Sequence, residues 1–383
     1  MMGESSQQGR FDAIDPYNLR TFDRIDHMPL SKDQVIAALR TVQDPELFKD
    51  IVTLNMVKDV RIDGTRVALD VELTTPACPL KDVIERDVKA ALANIGVTEV
   101  ELTLSARTRE SAGPKRDVLP QIKNVIAVGA GKGGVGKSTV AVNLAVGLQR
   151  AGASVGLLDG DIYGPSMPTM LGIKGETPKV SGSKIIPLHV HGLHAITIGS
   201  LVDPEKPLIW RGPMAHGAFK QLLTDNVNWP ELDYLIVDLP PGTGDVPLSL
   251  CQSLQLSGAV VVATPQQVAL DDAVRAVRMF QQLGTVVLGL VENMSVFIAP
   301  DGTEHDIFGR GGTRAAASKL GLPVLGELPM FTELRVNSDA GRPHANYEGH
   351  PRLRAALESF VGQVAGEVSK QNVLQKGPTL EVS

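Results

Sequence analysis

Cysteine is nearly missing from this chain: Cys78 and Cys251 are the only two thiols in 383 residues. That excludes a disulfide framework and makes a reducing compartment, the cytoplasm, the expected setting. Positive charge is also short. Lys and Arg total 37 against 43 Asp and Glu, a net charge of −6, so nonspecific nucleic-acid binding, which needs a basic surface, is not expected. No apolar run approaches the ~20 residues of a membrane span, and residues 1–29 lack the apolar core of a signal peptide. Internal repeats and low-complexity tracts are absent too. What remains is an ordinary globular composition, 43% hydrophobic and 21% charged, long enough for two or three domains.

What the chain does have is Gly131-Lys132-Gly133-Gly134-Val135-Gly136-Lys137-Ser138-Thr139. It fits the phosphate-binding pattern G-x-x-x-x-G-K-[ST], in which glycines let successive backbone N–H groups turn inward as an anion nest. Lys137 then reaches the β- and γ-phosphates, and the Ser138 hydroxyl ligates Mg²⁺. Val125-Ile126-Ala127-Val128 ahead of the loop reads as a buried parallel strand, and Val140 to Leu148 after it as a helix. Strand, glycine loop and helix put phosphate on a helix N-terminus. Lys132 has no role in an ordinary loop of this kind. Its place early in the loop suits it to reach across a dimer interface onto a partner's nucleotide.

Along the chain, residues 1–29 read as a flexible N-terminal segment and 30–106 as a small α+β domain. That domain opens with the capping box Ser31 to Gln34. It continues with strands near 57–61 and 66–73, a helix over 80–95 and a strand near 97–104. Residues 107–124 read as a linker, 125–368 as an α/β unit with a mostly parallel, helix-flanked sheet, and 369–383 as a flexible tail. Its further strands are expected at 154–158, 234–237, 259–263, 285–291 and 324–328, with a helix over 270–283. Ligands are expected at the carboxyl ends of its strands.

Two strands end in acids. Leu235-Ile236-Val237-Asp238 places Asp238 to hold Mg²⁺ through a water, with a strand-end cap as the plainer reading. Leu157-Leu158-Asp159-Gly160-Asp161 offers Asp159 on the metal side and Asp161 toward the attacking water, with a simple turn as the alternative. Cys78, in Thr75-Pro76-Ala77-Cys78-Pro79, falls near the start of the second helix, as a reactive thiol or as an inert buried one. Cys251 sits in an apolar helical context and reads as packing.

Together the loop with its extra lysine, Asp159-Gly160-Asp161, Trp210-Arg211-Gly212-Pro213-Met214, Asp238 to Asp245 and Val291-Glu292-Asn293-Met294-Ser295 resemble the Mrp/ApbC iron–sulfur carrier P-loop ATPases of the MinD/ParA-like superfamily. Through Asp44-Pro45-Glu46 and the Cys78 segment, the small domain is similar to one shared with iron–sulfur assembly factors. The resemblance implies a homodimer that binds and hydrolyses ATP with Mg²⁺ and delivers clusters to apoproteins. It also implies that Lys132 contacts nucleotide across the dimer and that Asn293 lies near the adenine. A C-P-x-C pair commonly follows the Asn-Met-Ser segment in that family. Here Ala299 and Gly302 hold the two cysteine positions, and neither ligates iron. Cys78 becomes the best-placed thiol for a cluster. Two other readings compete: a MinD/ParA-type dimerisation switch, and a nucleotide-gated scaffold that holds no cluster. The first is disfavoured by a C-terminus without the basic, amphipathic character of a membrane anchor.

Overall fold

The structure, a computed structural model, describes residues 30–45, 47–110, 119–161, 164–197 and 226–374. The Trp210 to Met214 segment and residues 1–29 lie outside the described residues.

The small N-terminal unit runs α1 (Lys32–Leu39), β1 (Gln43–Asp44), β2 (Lys49–Asp50), β3 (Val57–Asp63), β4 (Arg66–Leu73), α2 (Lys81–Ala93) and β5 (Glu99–Ala106). Both halves of the capping box form at α1, with the Ser31 N–H donating to Gln34 Oε1 at 2.9 Å and the Gln34 N–H to Ser31 Oγ at 3.2 Å. β4 pairs antiparallel with β3 and parallel with β5. Alternation along β4 turns Val67, Leu69, Val71 and Leu73 onto Val35, Leu39, Ile84, Val88 and Leu92 of the two helices.

The larger unit supplies β6 (Ile122–Gly129), α3 (Lys137–Arg150), β7 (Val155–Asp159), α4 (Met167–Met170), β8 (Val180–Ser181), β9 (Lys184–Ile185), β10 (Leu188–Val190) and β11 (Leu193–Thr197). After it come β12 (Leu232–Asp238), α5 (Asp245–Ser253), β13 (Gly258–Ala263), α6 (Gln267–Gln282), β14 (Val287–Ile298), β15 (Glu304–His305), α7 (Gly312–Leu320), β16 (Val324–Met330), α8 (Thr332–Asp339) and α9 (Pro351–Leu374). The main sheet has the order β10-β11-β7-β12-β6-β13-β14, with β15 and β16 both paired to β14. Only β10 and β15 run antiparallel to their neighbours. The inner strands β6, β7, β12 and β13 are apolar almost throughout because helices cover both faces. α3 and α9 cover one face, and α6 covers the other with Leu270, Ala273, Val277 and Phe280.

The register decides where the chemistry gathers. Asp238 pairs with Asp159, and Asp159 with Thr197, all at the carboxyl edge where the loop after β6 emerges. This is the edge at which parallel α/β sheets bind ligands.

Three boundaries differ from the sequence expectations. β6 begins at Ile122, inside the segment read as linker, and Thr108 in that segment is buried. α9 runs to Leu374, so the residues from Ser369 onward do not begin a tail. Ser369 Oγ donates to the Thr74 carbonyl of the small unit at 3.5 Å. Asn372 Nδ2 donates to the Arg109 carbonyl and to Asn124 Oδ1, while Arg109 Nη2 reaches the Leu54 carbonyl at 2.7 Å. β14 extends past residue 291 to Ile298, through an irregularity at Met294, whose φ is +57°.

Candidate functional site

Gly136 is the N-cap of α3 and offers no side chain to the first-turn amides, which leaves them for an anion. Its φ of +79° is a conformation glycine adopts without strain, and a Cβ there would overlap the Asn293 amide. Asn293 uses that amide to donate to the Val135 carbonyl at 2.8 Å, bracing the loop from β14. Gly131 sits so close to α6 that a Cβ would overlap the Asp272 carbonyl. Gly131→Ala is therefore expected to cost about 1–3 kcal/mol in chemical denaturation and to displace the loop. Unchanged stability would mean that α6 yields easily.

Lys137 is buried, and its Nζ lies 2.6 Å from Asp238 Oδ1 and 3.8 Å from Asp161 Oδ2. Three of the acids singled out in the sequence thus converge on the phosphate loop. They do so in different states. Both oxygens of Asp159 are engaged: Oδ1 accepts from the Asp161 N–H at 3.1 Å and Oδ2 from the Thr197 hydroxyl at 2.8 Å. Asp238 Oδ2, by contrast, is buried and makes no hydrogen bond among the described residues. A carboxylate oxygen without a donor is what a cation or its water needs; Asp238 offers one, and both oxygens of Asp159 are taken. Thr197 was not legible in the sequence, since its tie to Asp159 exists only through the β11–β7 register.

Burial, and then the nearby Asp238, push the Asp159 carboxyl up to about 7, against the pull of Thr197, the Asp161 amide and Lys137. Burial also raises Asp238, with Lys137 opposing it. The folded chain holds the Asp159 proton more tightly than the unfolded chain does. Its contribution to stability is thus complete below the ordinary value of 3.8 and is lost as pH rises through about 7. Asp159→Asn should stabilise by about 1–3 kcal/mol at pH 8 and by much less at pH 5. Equal thermal shifts at the two pH values would contradict this.

Two cavities meet at the loop. One of about 240 Å³ is lined by Lys132, Lys137, Ser138 and Asp161. It shares Gly136, Thr139, Ser166 and Met170 with a larger, mostly apolar one of about 710 Å³, walled by Asn293, Met294, Phe297 and Phe331. A polar end opening into an apolar slot matches a phosphate chain joined to a flat base. Lys132 lines the smaller cavity and makes no ion pair or hydrogen bond among the described residues.

The thiols lie elsewhere. Cys251 is buried and its thiol is pushed up to about 12 by burial. Leu80, not Cys78, is the N-cap of α2, and the Cys78 N–H donates to the Thr75 carbonyl at 3.3 Å. Cys78 lines a 340 Å³ groove between the two units, beside Gly147 and Arg150 of α3 and Val361 of α9. It is thus at the opposite end of α3 from Lys137, about 20 Å away at 1.5 Å per residue. Ala299 and Gly302 occupy the tip of the β14–β15 hairpin, closed by Gly302 N–H to the Ala299 carbonyl at 2.8 Å. Glu304 is paired with Arg310 and Arg352. Among the described residues no group of three or more His, Cys, Asp or Glu side chains could hold a metal ion, and no helix is long and apolar enough to cross a membrane.

Residues 121–365 match the family described as NUBPL iron-transfer P-loop NTPase, and residues 32–102 match the iron–sulfur cluster assembly protein family. The chain is 49% identical over 348 residues to an iron–sulfur cluster carrier protein of Synechocystis, covering 89% of this chain and 98% of the relative. It is 50% identical over 341 residues to a carrier protein of the same name from Deinococcus radiodurans, covering 87% and 95%. A nucleotide-binding protein of Archaeoglobus fulgidus, solved in complex with ADP, superposes with a TM-score of 0.55 at 37% identity, over 64% of this chain and 96% of that one. The chain belongs to the NUBPL iron-transfer P-loop NTPase family, with an iron–sulfur cluster assembly domain ahead of the NTPase sheet.

Proposed function

We propose that the chain binds ATP with Mg²⁺, hydrolyses it slowly as a homodimer, and uses that cycle to deliver iron–sulfur clusters to apoproteins in the cytoplasm. The observation that carries the nucleotide half is the Asp161–Lys137–Asp238 constellation at the loop, with one Asp238 oxygen buried and without a hydrogen bond among the described residues. Ser138 and Asp238 would hold Mg²⁺, which when bound draws charge from the β- and γ-phosphate oxygens. Gly131 to Thr139 cradle the phosphates, and Lys137 neutralises them. Asp161 orients the attacking water, whose oxygen bonds to the γ-phosphorus as the bond to the bridging oxygen breaks. Asp159, with both oxygens occupied, positions Asp161 by holding its backbone N–H. Asn293 would lie near the adenine, a reading supported by its bracing of the loop and its place in the wall of the larger cavity. Lys132 extends from the rim toward a partner's nucleotide.

The delivery half rests on the relatives' names and on the assembly-type domain. A second reading, a nucleotide-gated scaffold that recruits assembly factors and holds no cluster itself, is favoured by Ala299 and Gly302 at the hairpin tip. Anaerobic reconstitution followed by iron and sulfide assay separates the two. A carrier gives cluster iron that falls to background in Cys78→Ser. Iron-free protein that still turns over ATP points to the scaffold, and wild-type iron in Cys78→Ser removes Cys78 from the ligand set.

A further inference from the structure

The hairpin at the outer edge of the main sheet carries a cluster of histidines in Leu188-His189-Val190-His191-Gly192-Leu193-His194. His191 and Gly192 form its two-residue turn, with φ of +51° and +72°, the pattern of a type I′ connection. In such a hairpin the flanking Val190–Leu193 pair exchanges hydrogen bonds, and the next pair out, His189 opposite His194, does not. Non-hydrogen-bonded pairs bring their side chains closest. The two rings accordingly lie with centroids 5.0 Å apart.

Alternation puts this pair on the sheet face that farther along also carries Ile196 and Leu158 of the second core cluster. Leu188, Val190 and Leu193 turn toward the layer beneath α3, which leaves His189 and His194 on the other face. Across from His194 on β7 is Gly156, over which Leu232, Leu235 and Trp229 pack. His189 is exposed and His194 half-buried, and neither ring makes a hydrogen bond among the described residues. The neighbouring pair, His191 and His344, differs. His191 Nε2 lies 3.0 Å from the Leu171 carbonyl and His344 Nε2 lies 3.0 Å from the His191 carbonyl. Those nitrogens brace the turn, and the His189 and His194 nitrogens stay available.

We propose that His189 and His194 form a two-imidazole site for a divalent first-row transition metal, with solvent completing the coordination. Imidazole nitrogen is a ligand of choice for nickel, copper and zinc, and far less so for Mg²⁺. The separation suits shared ligation. With metal–nitrogen bonds of about 2.0–2.1 Å, each centroid stands roughly 3.2 Å from the metal, and centroids 5.0 Å apart then subtend roughly 100°. That angle is within the range of tetrahedral or cis-octahedral ligands. A metal there would clip β10 to β11, the strand whose last residue, Thr197, holds Asp159.

The test uses Ni(II) alone, added to the full-length chain after EDTA treatment and dialysis. One equivalent should bind and raise the melting temperature. His189→Ala and His194→Ala should each weaken binding about tenfold or more and remove the thermal shift, whereas His344→Ala should leave both intact. Cu(II) on the same protein should give an electron paramagnetic resonance spectrum with two coupled nitrogens, reduced to one in His189→Ala. Because His189 is exposed, its replacement keeps the fold, which circular dichroism checks. Nickel affinity in His189→Ala and His194→Ala equal to that of the unmodified chain overturns the proposal, as does a copper spectrum unchanged by His189→Ala.

Discussion

Lys137→Ala is expected to lower ATP turnover by about 10³-fold or more, through the loss of a preorganised charge at the phosphates. The structure adds a second consequence. Lys137 is also the cation against buried Asp238, whose Oδ1 lies 2.6 Å from its Nζ. Removing one member of a buried pair typically costs about 3–5 kcal/mol, because the other charge is left uncompensated. Asp238, already raised by burial, would rise further without the lysine. The variant should therefore be closer to wild-type stability at low pH, where the carboxyl is protonated in both folded and unfolded chains, and should lose stability as pH increases. Lys137→Ala combined with Asp238→Asn separates the two effects: stability should return while turnover stays absent. Turnover within tenfold of wild type in Lys137→Ala would take this lysine out of the reaction.

Lys132→Ala is expected to reduce turnover by about 10³-fold by a different route, the loss of a cation supplied in trans, as with an arginine finger. Lys132 lines the phosphate cavity, yet it has no partner of its own among the described residues. Nucleotide binding to the single chain, dominated by the loop amides and Lys137, should change only a few-fold. ATP-dependent dimerisation, followed by light scattering, should weaken. Mixing Lys132→Ala with Lys137→Ala chains gives the sharper measurement. In a mixed dimer, the Lys137→Ala chain can supply an intact Lys132 to the partner's intact loop, so the mixture should recover activity that neither variant has alone. Failure to complement, or unchanged turnover in Lys132→Ala, would place this lysine in its own chain's site.

The loop was legible because its pattern is contiguous: nine residues from Gly131 to Thr139 carry the whole phosphate-binding motif. Asp161 and Asp238 were legible because an apolar run ending in an acid marks the carboxyl end of a buried strand, where such sheets bind ligands. Asp159 shows where that reasoning stops. An acid at a strand end looks the same whether its oxygens are open or taken, and only the pairing of β11 with β7 brings Thr197 onto it. The larger cavity was illegible for the same reason. Met170, Asn293 and Phe331 come from α4, β14 and the turn before α8, segments far apart in the chain. The polar residues Ser369 and Asn372 suggested a solvated tail because composition cannot reveal partners, and theirs are Thr74, Arg109 and Asn124.

By itself the sequence determined the fold class, the phosphate-binding loop, the second lysine and the scarcity of thiols, since each is written in local pattern or in composition. Tertiary structure decided how those parts are used. Register closed one oxygen of Asp159 with Thr197, and its other oxygen takes the Asp161 N–H, while Asp238 Oδ2 makes no hydrogen bond among the described residues. The length of α3 set Cys78 at the end of the helix remote from Lys137, in a groove shared by the two units. Such relations depend on which strands and helices become neighbours, and that follows from burying the whole apolar surface at once rather than from any one segment.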